Sequence, residues 1–500
     1  MGVFLFLKRF IIQHMDTQQL LSDLRKKVFG KQRVLGKIYA ESGHKNIADY
    51  VGSWKVPPAR TDNALTQNIF SSMEKLLAIA YGQEIAKAVT EQLRGSPLVS
   101  TIDHHGILNH PFFINSNLFY SLKKTRFLIC LPTAGVSLNN NTSWSACLLA
   151  TKSKGNVQRF SFFPDRQKNL SVWSAPPLGP DNAKKVRSAI AGSGFPGGET
   201  SSMFELLKEI TTDEIYAMEN FSAQAQVLST RLWSLIFPDA PKLVYLPIED
   251  LVAQVITDTC GDENSLLSKF LFEPKSWQVA EKHFLGIPGA FNGSEKGSFL
   301  FWGVGENGAR VSLKLQGEKL VGKNYSLRLS AQEVGEAMRQ RKLYPTSLIC
   351  FVVLLLGGLT CLGGFNQVNW LTGIKEKLVL LLSELGETEA AESVMEAETE
   401  NFAEGDFAFL PFGNGVIKPT GVDLYALKDP ALYKKFQELG SSLTLKESID
   451  SLLPEIYSAI TPARDRDPKL LVLTDELIAQ ENGVEGKVRG IFLDRLHKTV

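Results

Sequence analysis

Four side chains suited to proton transfer or metal binding occur close together in this chain: Asp103, His104, His105 and His110. Imidazoles exchange protons near neutral pH and readily bind metals. The group follows a short apolar run at 98–102 and precedes a second apolar segment, so the pattern predicts a strand, a polar loop and a helix. In an open α/β sheet such a loop lies in the crevice where ligands bind. These four residues are the candidate catalytic residues.

Neutral polar residues in two loops are candidates for substrate or nucleotide binding. Asn117 follows the histidines, and Asn139, Asn140 and Asn141 follow the apolar run 127–132, which has the composition of a buried strand. Both loops are expected to open on the same edge of a parallel sheet. The alternative is a structural loop whose histidines only cap and hydrogen-bond; the density of imidazoles favours a site.

The composition is that of an ordinary globular protein without a strong overall charge. Of 500 residues, 44% are apolar and 21% charged, and the formal net charge is +1. This balance gives no field that attracts nucleic acid or an anionic membrane. Five cysteines without a CxxC pair indicate buried thiols in a reducing compartment. We therefore expect a cytoplasmic protein with a small-molecule substrate, and a homodimer is the candidate assembly.

The chain divides by pattern into four regions. Residues 1–95 are predicted to be helical, 96–383 to form an α/β core with β-hairpins at 296–330, 384–406 to be an acidic loop or linker, and 407–500 to be an α+β segment. Within the first region, residues 1–14 are interpreted as a start-site artefact or a frayed extension. Their apolar run is interrupted by two basic residues and has no cleavage site of a signal peptide.

Two literal GxGxxG matches are interpreted as structural turns. In the first, Gly192, Gly194 and Gly197 follow a helical pattern rather than a strand, which predicts a glycine helix stop before a helix capped by Thr200 or Ser201. The second match, at 303–308, contains an Asn-Gly pair between two alternating runs, the signature of a β-hairpin.

Two further stretches allow more than one interpretation. The segment 343–374 carries no charge and could span a bilayer by length, but internal glycines and amide side chains favour a buried core helix and strand. Residues 384–406 carry nine acidic and no basic residues. They are interpreted as a solvated helix face or a mobile loop, with metal binding as the lesser alternative.

The segments GSFLFWGVGENGARVSLKL, LSAQEVGEAMRQRKLYPTSLI and CLGGFNQVNWLTGIKEKL resemble the latter half of the core of the cysteine-adding enzyme of bacillithiol biosynthesis. In that family a hairpin, a helix and a buried run precede a GGPGE-like loop, then an aromatic residue and a lysine. The corresponding residues here are Gly363, Gly364, Gln367, Trp370 and Lys375. The resemblance implies a Rossmann-like core with a nucleotide or amino-acid site containing these residues.

The loop STIDHHGILNHPFF is similar to the TGHQ-like loop of the same family, with Gly106 as its glycine. The chain departs from the family in several places. Gln367 replaces an acidic residue, Ile102-Asp103-His104 stands for GHQ, and TAGVSLNNN stands where an acidic SEDHD-like loop is expected. A weaker resemblance, through Asp103, His104 and His105, is to the DHH phosphoesterases, whose upstream aspartate motifs have no counterpart here.

Three functions follow as expectations. The first is a ligase or group-transfer enzyme, C–N bond forming, that acts on an amino-acid-like or nucleotide-activated substrate, with ATP or ADP as candidate cofactor and a histidine as general base or phosphate partner. The second is a metal-dependent hydrolase or phosphoesterase with Asp103 and His105, or His104 and His110, as ligands. The third is a degenerate, non-catalytic binding or scaffold subunit, because amides replace the carboxylates expected of a ligase site.

Overall fold

The computed structural model describes residues 16–60, 62–140, 143–153, 155–287, 291, 293 and 297–493. The expectation for residues 1–14 and the prediction for Asn141 lie outside this part of the chain. The described strands, numbered β1 to β14 in chain order, are Leu98–Ser100, Phe127–Cys130, Cys147–Thr151, Val157–Ser161, Lys242–Tyr245, Phe301–Val304, Arg310–Ser312, Lys314–Gln316, Lys319–Gly322, Tyr325–Arg328, Leu343–Pro345, Thr360–Leu362, Leu410–Phe412 and Gly415–Ile417.

The α-helices surround these strands and occupy most of the chain. In order they are Thr17–Lys31, Arg33–Ser42, Ile47–Gly52, Ala64–Tyr81, Gln83–Gly95, Pro111–Ser121, Pro180–Ala191, Gly197–Ile210, Asp213–Tyr216, Phe221–Ile236, Ile248–Thr259, Leu266–Phe272, Pro274–Phe284, Ala331–Arg339, Ser347–Leu356, Gln367–Leu385, Thr388–Met395, Gly421–Leu427, Leu432–Ser442, Leu445–Asp450, Leu453–Ile460, Asp475–Glu481 and Val484–Phe492. Short 3-10 helices are Asp165–Gln167, Val172–Ser174, Ala463–Asp465 and Leu470–Val472.

A four-stranded parallel sheet in the order β12-β1-β2-β5 lies at the centre of the fold. Its register pairs Val99 with Cys361 and Ile129 with Val244. The strands are buried on both faces, as parallel strands covered by helices are. The chain is thus a mixed α/β protein, and the predicted strands at 98–102 and 127–132 are confirmed.

Side chains alternate between two hydrophobic cores along each central strand. In β2, Leu128 packs in one core, with the helix Pro111–Ser121 and much of the C-terminal segment, while Phe127 and Ile129 pack in the other. The second core also contains apolar side chains of the helices Ala64–Tyr81 and Ile248–Thr259. This alternation follows from the two-residue period of a strand.

The glycines of the two GxGxxG matches lie at a helix end and in a β-hairpin. Strands β6 and β7 pair with Val304 opposite Arg310, and Gly308 between them has φ 76°, so the hairpin interpretation of the second glycine match is confirmed. At the first match, Gly192 ends the preceding helix as predicted. The predicted cap at Thr200 or Ser201 is wrong, because the next helix begins at Gly197 and the Thr200 hydroxyl donates back to the Phe195 carbonyl.

Most apolar side chains of the uncharged segment 343–374 are buried in the second core, while Leu362, Phe365 and Val368 are buried in the first. The helix Ser347–Leu356 is only ten residues long, Leu348 to Leu356 are all buried, and β12 follows it. The prediction of a core helix and strand is confirmed. Among the described residues, no helix has both the length and the apolar character that crossing a membrane requires.

The acidic stretch 384–406 contains the helix Thr388–Met395 and then returns to the sheet. Ala403 forms a parallel bridge with Gly363, directly after β12. Glu404 and Asp406 follow that bridge and are fully buried. This part of the stretch is therefore neither solvated nor a linker.

Candidate functional site

A crevice of about 310 Å³ lies at the carboxyl ends of β12, β1 and β2. This is the edge at which open parallel sheets bind ligands. Its lining comes from two loops, the first after β1 and the second after β2, and from the N-terminal parts of the helices Ser347–Leu356 and Gln367–Leu385. The lining residues are Thr101, Ile102, His104, Thr133, Val136, Asn140, Ser347, Leu348, Phe351, Gln367 and Trp370.

Of the four candidate catalytic residues, only His104 lines this crevice. It forms a parallel bridge with Thr133, and its ring lies 5.5 Å from that of Phe113 between centroids. Burial lowers the pKa of His104 to about 4, because a charged imidazole is poorly solvated there. The side chain is therefore neutral at pH 7.

Two helices begin at the crevice and add partial positive charge to it. The helix Ser347–Leu356 is capped by Thr346, and the 19-residue helix Gln367–Leu385 begins directly after the glycine loop 363–364. Among the described lining residues there is no Asp, Glu, Lys or Arg. A neutral pocket at two helix N-termini favours an anionic group over a cation.

Gln367 and Trp370 form one wall of the crevice. The Gln367 amide donates a hydrogen bond to the Thr101 hydroxyl, which joins the helix to the end of β1. The Trp370 ring packs edge-on against Phe351 at 4.8 Å. The structure thus brings together His104, Asn140, Gln367 and Trp370 from the set of sequence-predicted residues.

Asp103 points away from the crevice into the protein interior. Its carboxylate accepts hydrogen bonds from the hydroxyl of Ser116 at 2.6 Å, from the amide of Asn117 at 2.7 Å and from the hydroxyl of Tyr245. Burial raises the pKa of Asp103 to about 6, and these three donors oppose the shift. Asp103 and Asn117 hold the first loop in place and do not line the crevice.

His105 and His110 also have structural contacts. The Nε2 atom of His105 lies 2.8 Å from the Ser222 carbonyl, in a fully buried position. His110 caps the helix Pro111–Ser121 through Nδ1, which accepts from the backbone N–H of Phe112 at 3.3 Å. Burial lowers the pKa of His105 to about 4 and that of His110 to about 3.

Of the two proposed pairs of metal ligands, Asp103 and His105 are hydrogen-bonded to other protein groups, whereas His104 and His110 both pack against the Phe113 ring. Asp103 is occupied by three donors, and the two histidines adjacent to it along the chain point to different surroundings, as alternation in extended backbone requires. In the part of the chain that the structure describes, no group of three or more His, Cys, Asp or Glu side chains is placed to hold a metal ion.

The other predicted binding residues lie around the crevice rather than in it. Asn139 is held by its backbone N–H, which donates to the Lys168 carbonyl. The Gly363 N–H donates to the Phe402 carbonyl. A Cβ on Gly364 would lie 3.5 Å from Ile102 Cγ2, so Gly364 packs against the first loop. Lys375 donates to the Ala397 carbonyl at 2.7 Å, two turns along the helix from Gln367.

Glu249, which the sequence did not single out, shapes the second loop. It is fully buried, and its two carboxylate oxygens accept the backbone N–H groups of Ala134 and Gly135, both at 2.7 Å. Burial raises the pKa of Glu249 to about 7, while the two N–H donors act in the opposite direction. Because Thr133 and Val136 flank this pair, Glu249 positions two lining residues.

A buried charged group behind the first loop was also missed. Lys418 donates to Asp406 at 3.0 Å and to Asp475, while both carboxylate oxygens of the neighbouring Glu404 have no hydrogen-bond partner. Burial raises the pKa of Glu404 well above its ordinary value, and the nearby Asp406 and Asp103 carboxylates add to this. The sequence signal was the apolar run on both sides of these acids, FAEGDFAF.

Compared with known proteins, the chain matches no family model and no curated protein sequence.

Proposed function

We propose that the crevice binds a small molecule through a phosphate or carboxylate group, and that the chain is a group-transfer enzyme of the ligase type. The observation that carries this proposal is the convergence of two helix N-termini, at Ser347 and Gln367, on a crevice lined by neutral residues. The parallel order β12-β1-β2-β5 with helices on both faces supports a Rossmann-like fold for this site. ATP or ADP fits this anionic chemistry.

His104 is the residue to which we assign proton transfer. It is the titratable side chain among the described lining residues, and it is neutral at pH 7 and able to accept a proton. In a ligation the acceptor amine forms the N–C bond, the bond between that carbon and its activating phosphate breaks, and one amine proton passes to the imidazole. A bound phosphate would favour the imidazolium and so raise the pKa of His104 toward neutrality.

Calorimetric titration tests the binding step. ADP and inorganic phosphate are titrated into the wild-type protein and into the variants His104→Ala and Gln367→Leu, with His44→Ala as control because His44 is exposed. We expect saturable binding of ADP to wild type and control, and affinity at least tenfold lower in both crevice variants. Failure of both anions to bind the wild-type protein would refute the proposal.

A binding subunit without catalysis is the second candidate. It is favoured by the absence of a carboxylate among the described lining residues. It is also favoured by Gln367, which is an amide at the position where the cysteine-adding enzyme family has an acidic residue. Amides hold a polar ligand but do not accept a proton. Incubation with ATP and free amino acids distinguishes the two candidates: ADP or AMP release dependent on His104 favours the enzyme, whereas binding without any release favours the subunit.

The assembly and location are proposals of the same kind. A cytoplasmic homodimer with a small-molecule substrate is consistent with the balanced net charge and the buried cysteines. Sedimentation velocity over a concentration series tests the dimer, which a monomer at all concentrations would contradict.

A further inference from the structure

Glu404 is a fully buried carboxyl group without a hydrogen bond. It directly follows Ala403, which forms the parallel bridge with Gly363 after β12. The side chain is 0% exposed, and neither of its oxygens has a hydrogen-bond partner in the described part of the chain. A charge at such a place is costly, because neither water nor a donor group solvates it. The side chain is therefore stable as the neutral acid and not as the carboxylate.

Glu404 lies directly behind the wall of the crevice. A Cβ on Gly364 would lie 3.5 Å from Glu404 Oε1 and also 3.5 Å from Ile102 Cγ2, so Gly364 packs against both side chains. Ile102 lines the crevice, and Gly364 precedes the helix Gln367–Leu385, whose first turn also lines it. This wall consists of backbone and an aliphatic side chain, which screen a charge only weakly. A charge on Glu404 would therefore act on a ligand in the crevice.

The nearest charged groups around Glu404 are acids from three different elements. Asp103 belongs to the first loop, Asp406 follows Glu404 in its own segment, and Glu455 lies on the helix Leu453–Ile460. Burial raises the pKa of Glu404 well above its ordinary value, and the three neighbouring acids raise it further. These neighbours therefore oppose the ionisation of Glu404 from several sides.

The cation of this region is already engaged by other carboxylates. Lys418 donates to Asp406 at 3.0 Å and also to Asp475. His110, which lies near Lys418, supplies no second positive charge, because burial lowers its pKa to about 3. Ionisation of Glu404 would thus add to a surplus of negative charge in this described region.

We infer that the proton on Glu404 controls the affinity of the crevice for anions. As the neutral acid Glu404 permits an anionic ligand to bind, and as the carboxylate it repels that ligand through the wall. This inference rests on the anion binding proposed above for the crevice, and it adds the regulation of that binding. Because linkage is reciprocal, a bound anion also holds the proton on Glu404 more tightly. Glu404 touches no ligand and is a regulating residue, not a catalytic one.

The affinity for an anion should therefore fall as pH rises. The protonated form of the protein binds the anion more tightly, so the pKa of Glu404 is higher in the complex than in the free protein. The affinity is at its maximum below the pKa of the free protein. It decreases as pH rises from that value to the pKa of the complex, and is constant above it.

Calorimetric titration of ADP between pH 6 and pH 9 tests the inference on the full-length chain. The ratio of the wild-type affinity to that of Glu404→Gln isolates the effect, because the ionisation of ADP and of His104 is common to both proteins. We expect this ratio to fall at least about threefold over the range. The matched control Glu91→Gln, at an exposed position in the helix that precedes β1, should keep the wild-type profile.

A second measurement counts the protons that accompany binding. Titrations at pH 8 in two buffers of different ionisation enthalpy should show that the wild-type protein takes up more protons per ADP bound than Glu404→Gln does. If Glu404→Gln does not fold, Glu404→Met takes its place, because an apolar side chain of similar length requires no hydrogen bond there.

The outcomes separate this inference from the function on which it rests. Absence of ADP binding to the wild-type protein at every pH would refute the anion binding proposed for the crevice. Binding with parallel pH profiles and equal proton uptake in the wild type and the Glu404 variant would leave that binding intact and overturn the regulation by Glu404.

Discussion

The carboxylate of Glu249 lies 2.7 Å from the backbone nitrogen of Gly135 and accepts its hydrogen bond. The same side chain accepts the N–H of Ala134, so a helix that follows β5 fixes the loop that follows β2. A residue larger than glycine at position 135 would push its neighbours aside, since its Cβ would lie 3.0 Å from Glu249 Oε1 and 3.2 Å from the Tyr344 ring. The shape of the crevice therefore depends on a residue that does not line it.

Removal of the Glu249 carboxylate should destabilise the protein. Glu249→Leu leaves two backbone N–H groups without acceptors, at about 1–3 kcal/mol each, so we expect the free energy of unfolding to fall by about 2–6 kcal/mol. Denaturation in urea, followed by tryptophan fluorescence, measures this change. The control Glu91→Leu, at an exposed helix position, should change stability by about 0.5 kcal/mol or less. Equal stability of both variants would contradict the assigned role.

His105 should make stability pH-dependent in acid. Its pKa is about 4 in the folded protein, against an ordinary value of 6.5, so between these values the unfolded chain binds a proton that the folded protein does not. The contribution of His105 to stability is therefore lost as pH falls through this window, by up to about 1.4 kcal/mol per pH unit. The stability of wild type relative to His105→Gln should rise from pH 4.5 to 6.5 and then stay constant.

Urea denaturation at intervals of half a pH unit measures that difference. His44→Gln serves as control because His44 is exposed. A difference between wild type and His105→Gln that does not vary with pH would show that His105 is not buried as a neutral imidazole.

Gly106 should not tolerate a larger residue. A Cβ at this position would lie 2.4 Å from the Ser145 carbonyl oxygen, so Gly106→Ala forces the first loop away from the backbone at Ser145. We expect a loss of about 1–3 kcal/mol in unfolding free energy. Gly198→Ala is the matched control, since no atom lies within 4 Å of its Cβ and it sits in a helix, where alanine should be neutral or stabilising. Similar effects of both substitutions would be inconsistent with this packing.

Glu404 should titrate in the opposite sense to His105. Its folded pKa is raised by burial, so above the ordinary value of 4.5 the folded protein retains a proton that the unfolded chain has released. Stability from this residue is therefore lost as pH rises. Glu404→Gln lacks the titration and should gain stability relative to wild type between pH 5 and 8, measured by urea denaturation. The exposed Glu476→Gln is the control, and a parallel pH dependence in wild type and Glu404→Gln would oppose the prediction.

The elements that the sequence predicted well are those whose apolar runs have a definite length. Strands β1 and β2 and the helix Ser347–Leu356 are bounded by polar or glycine residues, so local pattern was sufficient. The cap of the helix Gly197–Ile210 was misplaced because Gly197 and Gly198 adopt helical backbone, although their helix propensity is low.

The candidate site could be located by sequence but not assembled from it. The loop after β1 does lie at the sheet edge, yet neighbouring side chains in extended backbone point in opposite directions, so His104 faces the crevice while Asp103 faces the interior. Glu249 reaches the second loop from a distant part of the chain, and Glu404 is close enough to Asp103 of the first loop for that carboxylate to raise its pKa. The local sequence pattern does not encode such long-range contacts, and an acidic stretch by itself predicts side chains exposed to solvent.

The order of the sheet has a consequence for synthesis of the chain on the ribosome. Strand β1 lies between β2 and β12, and Leu98 pairs with Thr360, so one edge of β1 has no native neighbour until about 260 further residues have been made. At roughly 5–20 residues per second this takes on the order of ten seconds or more. During that time the open edge of an apolar strand is free to pair with other chains. The interval makes early binding by a chaperone valuable for this topology.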